Sequence, residues 1–351
     1  MNVVPPLPIT DSVLTSSTLP ELVPAAYLAA TTYAMSDRMA ITLTLGKSAV
    51  YESKQPNNLN RVYTDTFWWK FVGFAYAAYS PTDTYALGYT VTDTVNHLLY
   101  QSTAAGNVGN ALTNEVKWVL QGASNRGAMF DLLRDTPSVA QGAMTIVLTP
   151  GKRVNSLALL KLKNVSNVSI TMTNAGNVIY TKTIDLPTRS VRSWTTWLFG
   201  GVARQRNVVQ FDLPPVTSGV ITVTLTGAGE ISCGTCIVGS YIYIGKVEYG
   251  ATSDTANYST VTRKFDGSVN VMTQRRNAPK SINTLWVPKI IVNDVYSLRE
   301  DYGGTPLLWV GIDQVDDEYF RPLLLFGFFT NFPISLDFPN DAKASLTIEE
   351  F

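Results

Sequence analysis

The sequence predicts an all-β protein in which small tandem β-modules are followed by antiparallel β-sandwich regions. Two observations carry this prediction. Short runs rich in Val, Ile, Thr and Tyr, with alternating polarity and Pro or Gly between them, follow one another without long helical patterns. A segment near the N-terminus also repeats itself at a fixed offset. The 351 residues include 24 Gly and 18 Pro, which fits many tight turns around a sizeable core.

The N-terminal residues 1–24 predict an extended arm. They contain prolines but no steady hydrophobic period, and such arms usually lie on something larger, with a frayed terminus as the alternative. The first residues carry no positive charge and are interrupted by prolines, which argues against a signal peptide. No apolar run reaches the roughly 18 residues that a spanning helix needs, so no membrane span is predicted.

The repeat covers residues 25–74 and 75–124, which we interpret as two small β-modules. Five pairs of residues are each separated by 49 positions: Tyr51 and Tyr100, Ser53 and Ser102, Asn58 and Asn107, Trp69 and Trp118, Gly73 and Gly122. The first landmarks, Tyr33 and Tyr85, are separated by 52 positions, so the second copy is three residues shorter near its start. One offset shared by five pairs indicates a duplicated structural unit.

Each copy has a tyrosine in a Tyr-Ala-x-Gly-Asp-like turn, a strand with a Tyr-x-Ser sequence, and a tryptophan shortly before a glycine. These features resemble the small β-modules of the chitin-binding type. The first copy has Ser36 in place of the glycine, and the second has Tyr89 in place of the aspartate. The resemblance implies carbohydrate binding, and the candidate residues for it are Trp68, Trp69, Trp118, Tyr51, Tyr100, Asn58 and Asn107.

Two interpretations of these residues remain open. Flat aromatic rings can stack on sugars, and asparagine amides can bind hydroxyl groups. A module of this size also has so little core that its Tyr and Trp side chains are expected to form it. Trp68 is the better candidate for a sugar platform, because Lys117 stands at its position in the second copy.

The remainder of the chain predicts strands. A polar turn and a compact apolar segment at 122–131 predict a hinge, followed by a β-sandwich domain at 125–245. Residues 246–351 predict a β-rich domain or the second half of the sandwich, interrupted by one helical patch at 292–299. The expected strands lie at 144–148, 156–160, 168–172, 178–181, 208–211, 220–225, 241–244, 268–272, 284–287, 307–310, 322–326 and 344–348.

The order of these elements resembles structural proteins of tailed-bacteriophage tails and baseplates. The resemblance rests on the two repeats, Asn-Arg-x-Ala-Met-Phe-Asp at 125–131, Trp-Thr-Thr-Trp at 194–197, Cys-Gly at 233–234, Tyr-Gly at 249–250 and Asn-Tyr-Ser at 257–259. It implies a virion protein made in the host cytoplasm, which forms homo-oligomers and contacts other phage tail proteins. The alternative is a host-attachment adhesin that binds a host-surface glycan.

The composition disfavours catalysis and nucleic-acid binding. His97 is the only histidine, so histidine-based triads and multi-histidine metal sites are unavailable, and we expect His97 to lie at a turn. The 27 basic residues balance 27 acidic ones, which is unlike an electrostatic duplex-binding protein. The densest acidic clusters, at 316–318 and 349–350, predict solvated residues rather than the carboxylate pair of a glycosidase. No enzymatic activity, cofactor or metal is predicted.

Cys233 and Cys236 have the spacing of a redox motif or half a zinc site. Zinc needs four ligands, and a thioredoxin-like pair opens a helix after a strand, whereas the residues beside these cysteines predict strands. We therefore expect two buried small residues at a turn between strands. Cytoplasmic synthesis disfavours a disulfide but leaves it open.

Overall fold

A computed structural model describes residues 1–133, 135–188, 193–199, 203–256, 260–263, 265–272, 278–312, 319–336 and 338–350. The Asn-Tyr-Ser sequence at 257–259, the side chain of Trp197 and the acidic run at 316–318 lie outside these residues. The all-β prediction is confirmed: the chain forms several sheets, nearly all antiparallel, and short helices. No helix in the described ranges is both long and apolar enough to cross a membrane.

The two modules share one six-stranded sheet. The first module contains β3 (Thr32–Tyr33), β4 (Arg38–Thr42), β5 (Lys47–Ser53), β6 (Asn58–Leu59) and β7 (Trp69–Ala78), after β1 (Asn2–Val4) and β2 (Leu14–Ser17) in the N-terminal arm. The second contains β8 (Thr90–Asp93), β9 (Leu98–Ser102) and β10 (Trp118–Ala123). The strand order is β10-β9-β8-β7-β5-β4. Strands β7 and β8 pair in parallel, which joins the modules side by side, while β3 and β6 form a separate pair.

The junction between the modules depends on Gly46. Its φ is +84°, and a Cβ placed there would lie 2.2 Å from the Thr90 carbonyl oxygen and 2.7 Å from the Tyr89 ring. The backbone amide of Thr90 donates to Leu45 O at 2.9 Å across the same contact. Only glycine combines this backbone conformation with so close an approach, so the two modules meet without room for a side chain at this point.

The segment predicted to be a hinge is anchored to the sandwich. Asn125 donates from Nδ2 to Val139 O at 2.9 Å and accepts from Val139 N at Oδ1 at 2.8 Å, which copies a backbone pair. A 3₁₀ turn at Ala128–Phe130 then inserts Met129 into the sandwich core, where its side chain is fully buried. Burial of Asp131 raises the pKa of its carboxyl group.

A five-stranded and a three-stranded sheet form the sandwich. The longer sheet has the order β14-β13-β18-β11-β2, and the shorter has β17-β12-β19. The new strands are β11 (Ser138–Leu148), β12 (Ser156–Leu160), β13 (Lys163–Asn174), β14 (Asn177–Asp185), β15 (Pro187–Thr188), β16 (Ala203–Arg204), β17 (Val208–Gln210), β18 (Gly219–Cys233) and β19 (Thr235–Gly239). A short helix α1 (Trp194–Phe199) separates the paired strands β15 and β16.

The C-terminal region forms a nine-stranded sheet with the order β20-β1-β26-β27-β29-β25-β21, in which β22 also pairs with β25 and β28 with β29. Its strands are β20 (Ile242–Tyr243), β21 (Lys246–Val247), β22 (Thr252–Ala256), β25 (Ala278–Pro288), β26 (Leu307–Val310), β27 (Leu324–Asn331), β28 (Ile334–Ser335) and β29 (Asp341–Glu349). Strands β23 (Thr260–Arg263) and β24 (Val269–Met272) form a separate hairpin. A 3₁₀ turn (Lys289–Ile291) leads into α2 (Val292–Asp301), which confirms the predicted helical patch.

The three-stranded sheet lies between the two larger sheets. One of its faces contributes Leu157, Leu159 and Val238 to a core shared with the five-stranded sheet. Its other face contributes Ala158 and residues of β17 and β19 to a core shared with the nine-stranded sheet. All five residues of β12 are therefore buried, and the run Ser-Leu-Ala-Leu-Leu does not alternate in polarity. Helix α2 covers the far face of the nine-stranded sheet.

The N-terminal arm belongs to these layers. Strand β1 pairs with β20 and β26, with Val3 in the core under α2 and Val4 in the core beside the three-stranded sheet. Strand β2 then forms an edge of the five-stranded sheet, and residues beyond it pair with the first module. The sequence led us to expect an arm that docks on a neighbour or frays, whereas these residues pair within their own chain. Alternating Val3 and Val4 side chains fit the space between two cores.

We expect Leu159→Ala to lower the free energy of unfolding by about 2–5 kcal/mol, because Leu159 is fully buried between two sheets that cannot collapse onto the cavity. Urea denaturation of the full-length protein measures this change. Val178→Ala in β14 is the control, since Val178 is 62% exposed and should change stability by less than about 0.5 kcal/mol. Equal effects of the two substitutions would contradict the layer arrangement.

Candidate functional site

Each module is built around three aromatic rings. In the first, Tyr27 stacks on Tyr33 with centroids 6.1 Å apart, and Trp69 meets Tyr33 edge-on at 5.1 Å. In the second, the corresponding pairs are Tyr79–Tyr85 at 6.2 Å and Tyr85–Trp118 at 5.2 Å. Offset and edge-to-face pairs of this kind stabilise a small core beyond the area they bury. Four of these rings are landmarks of the sequence repeat; Tyr27 and Tyr79 were not recognised as a pair, although they are separated by 52 residues, as Tyr33 and Tyr85 are.

In each module one backbone carbonyl oxygen accepts hydrogen bonds from two aromatic side chains. Arg61 O accepts from Tyr27 Oη at 2.9 Å and from Trp69 Nε1 at 3.0 Å. In the second module Asn110 O accepts from Tyr79 Oη and Trp118 Nε1 at the same two distances. These bonds satisfy the donors of the buried rings, so the two copies use the same construction.

The candidate asparagines also support the fold. Asn58 donates to Ser53 Oγ at 3.0 Å, and Asn107 donates to Ser102 Oγ at 3.0 Å. Both side chains are buried. Asn107 Oδ1 additionally accepts from Asn110 Nδ2 at 2.8 Å, whereas Asn58 Oδ1 has no hydrogen-bond partner among the described residues. Arg61 occupies the position that corresponds to Asn110.

Backbone conformation repeats with the hydrogen bonds. Positive φ values recur at three matched pairs of positions in the two modules: Ser36 and Gly88, Asn57 and Gly106, Asn60 and Gly109. The second copy has glycine at each of these positions, and the first has serine or asparagine. Asparagine tolerates the left-handed region better than most residues. The internal duplication therefore extends to the turns.

The seven residues predicted to bind a sugar do not form one exposed surface. Trp69 and Trp118 are each 2% exposed, and with Asn58 and Asn107 they lie inside the modules. Tyr51 and Tyr100 are half-buried, and burial, followed by the nearby Tyr63, raises the pKa of Tyr51. The reason is the small size of each module, which needs its largest rings and their hydrogen-bonding partners for its own core.

Trp68 lies outside the central aromatic triads, as do Tyr51 and Tyr100. It is half-buried, and the Arg61 guanidinium lies 4.7 Å from its ring centroid. Phe67 packs edge-on against it at 5.6 Å and is 62% exposed. Neither Phe67 nor the Arg61 contact was predicted from the sequence. The exposed aromatic surface at this site thus comes mainly from Phe67, with Trp68 behind it.

Apolar side chains are exposed at equivalent positions in both modules. Phe67 corresponds to Val116, which is 79% exposed. Two further pairs of exposed apolar residues occupy matching positions: Met35 and Leu87, Leu59 and Val108. We call these six residues the repeated apolar positions. Neither copy uses them in its core, so the duplication preserves exposed apolar surface as well as buried structure.

His97 lies at a turn, as expected, but its ring is held between two carboxylates. Nδ1 is 2.6 Å from Glu21 Oε1, and Nε2 is 2.9 Å from Asp11 Oδ1. The Glu21 side chain is 8% exposed, accepts from Ser124 Oγ at 2.7 Å, and has Arg126 Nη1 at 3.6 Å. This network connects the N-terminal arm, the second module and the connector, and no local sequence pattern predicts it.

The cysteine pair is buried, with Cys233 at the end of β18 and Cys236 in β19. Both thiols are free, and burial raises the pKa of Cys233 to about 12. Glu349 ends β29 and Glu350 is buried, so this pair is not the solvated tail that the sequence predicted. Across the described part of the chain, no three His, Cys, Asp or Glu side chains are placed to share a metal ion.

We expect His97→Ala to lower the free energy of unfolding by about 1–3 kcal/mol, because it removes the 2.6 Å hydrogen bond of the buried Glu21 carboxylate and leaves Ser124 and the more distant Arg126 as its partners. Chemical denaturation of the full-length protein measures the loss. Val95→Ala in the same turn is the control, because Val95 is 78% exposed. If both variants unfold at the same denaturant concentration, the network does not stabilise the fold.

Comparison of the chain with protein-family models and with curated proteins found no match. The structure consists of two closely similar modules with filled cores, a repeated set of exposed apolar side chains, and a layered body in which the N-terminal arm is one strand of the largest sheet.

Proposed function

We propose that this chain is a structural virion protein of a phage tail or baseplate, which acts through protein–protein contacts and has no enzymatic activity. Its partners are other tail proteins and further copies of itself, and the modules face outward from the layered body. The sequence resemblance to tail and baseplate proteins motivates this identity. The single observation that supports it best is the presence of the repeated apolar positions at matching sites in both modules.

Exposed apolar surface that recurs in two copies favours a binding role. Large apolar side chains in contact with water usually mark interaction surfaces when they cluster, whereas scattered ones need no explanation. Here Phe67 and Val116 occupy equivalent positions and are 62% and 79% exposed. Two similar surfaces on one chain suit a partner that is itself present in several copies, as in a symmetric assembly.

The buried chemistry supports the same proposal. Aromatic and amide groups that a sugar-binding or catalytic site would use are instead hydrogen-bonded inside the modules, as Asn107 and Trp118 illustrate. The layered body adds three apolar cores that share sheets. A rigid body with outward modules fits a part whose work is the burial of surface against neighbours.

We expect this chain to be present in purified particles of the phage that encodes it. The double variant Phe67→Ser, Val116→Ser should be incorporated at least about tenfold less, because it lacks two apolar side chains of the contact surface. Quantitative peptide mass spectrometry of the particles measures this. Ile290→Ser is the control, because Ile290 is 87% exposed and belongs to no repeated pair. Absence of the wild-type chain from intact particles would refute the proposal.

The alternative function is a host-surface adhesin that binds a glycan through the first module. The specific observation in its favour is the exposed Phe67 ring beside Trp68. If stacking supplies the affinity, Trp68→Ala and Phe67→Ala in the full-length protein should abolish binding to host polysaccharide in a pull-down assay, while Val116→Ala should not. Unchanged binding by the two aromatic variants would exclude this platform.

A further inference from the structure

A cavity of about 480 Å³ opens where the turn after β12 meets the connector and the start of β17. Three cationic residues line it, namely Lys161, Lys163 and Arg206, together with Asp135 and Ser232. Asp135 is paired with Lys161. Neither Lys163 nor Arg206 makes an ion pair with another described residue, so the cavity wall has an excess of positive charge.

Ser232 is one of the residues that line this cavity. Its neighbours in β18, Ile231 and Cys233, point into the sandwich core, so the alternation of the strand directs Ser232 to the opposite side. Ser232 is 7% exposed, and its hydroxyl makes no hydrogen bond to any described residue. Lys163 is its direct cross-strand partner, which places both side chains on one face. A hydroxyl with no hydrogen bond to a described residue therefore lies beside Lys163, which makes no ion pair with a described residue.

The backbone around the cavity is fixed before any ligand arrives. Lys161 N donates to Asn207 Oδ1 at 3.0 Å, and Leu162 N donates to Arg206 O at 2.7 Å, which ties the turn to the segment between β16 and β17 that carries Arg206. Asn164 Nδ2 donates to Glu230 O at 2.9 Å and closes the other side. Such preorganisation lowers the entropic cost of binding.

We propose that this cavity binds a small ligand through a phosphate or carboxylate group. The ammonium of Lys163 and the guanidinium of Arg206 neutralise the anion, and the Ser232 hydroxyl donates a hydrogen bond to one of its oxygens. The volume is in the usual range for small-molecule pockets and suits a ligand about as large as an acidic or phosphorylated monosaccharide. This site is independent of the assembly role proposed above, since it contains none of the repeated apolar positions.

Isothermal titration calorimetry of the full-length protein at low ionic strength, with inorganic phosphate and with glucuronate in separate titrations, tests the site. We expect saturable binding of at least one. Lys163→Gln and Arg206→Gln should each weaken it about tenfold or more, because each removes a charge-assisted contact. Ser232→Ala should weaken it about threefold without changing net charge, and Asp135→Asn should tighten it by freeing Lys161.

Lys152→Gln is the matched control, because Lys152 is an exposed lysine of the same sandwich that does not line the cavity. The affinity of the Lys152→Gln variant for each ligand should equal that of the wild type. The thermal unfolding temperature of every variant should stay close to that of the wild type. Phosphate binding alone identifies a phosphate site, and glucuronate binding alone identifies a carboxylate site. Absence of saturable binding for both ligands, or equal weakening by Lys152→Gln, would overturn the proposal.

Discussion

Burial of the β17-β12-β19 sheet on both faces is the constraint on which the rest of the structure depends. All five residues of β12 are buried, and its apolar side chains must match side chains of the larger sheets. Leu157 and Leu159 alternate with Ala158 and Leu160 between two separate cores. Close packing on both sides fixes the distance between the outer sheets and leaves little freedom for their relative position.

The N-terminal arm completes this arrangement and connects it to the modules. Val3 and Val4 pack into two different cores from one strand, and β2 forms an edge of the five-stranded sheet. Glu21 then forms contacts with His97 and Arg126 beside the second module. Contacts so distant in sequence are slow to form but hold several layers together once made. The modules are thereby fixed to the body at several points, by the arm, by Met129 of the connector and by the close approach at Gly46.

The sequence predicted local structure well and its spatial combination poorly. Alternating polarity predicted strands such as β13, and the separation of 49 residues predicted two similar modules, because both signals are local or periodic. The pairing of β1 with β26 and the two carboxylates around His97 involve residues far apart in the chain, so no local sequence pattern predicts these contacts. The burial of Trp118 was one of two open interpretations for a related reason: an aromatic side chain looks the same in a sequence whether it is a core residue or a binding platform.

The proposed function depends on the exposed apolar residues that the two modules share. Its central claim is that these exposed residues contact other proteins in an assembled particle. Hydroxyl-radical footprinting, with oxidation measured at Met35, Phe67 and Leu87 in the free protein and in purified particles, tests this claim at the level of side chains. The account predicts strong oxidation of all three in the free protein, where each is more than 60% exposed, and marked protection in the particle. Equal oxidation in both states would contradict it.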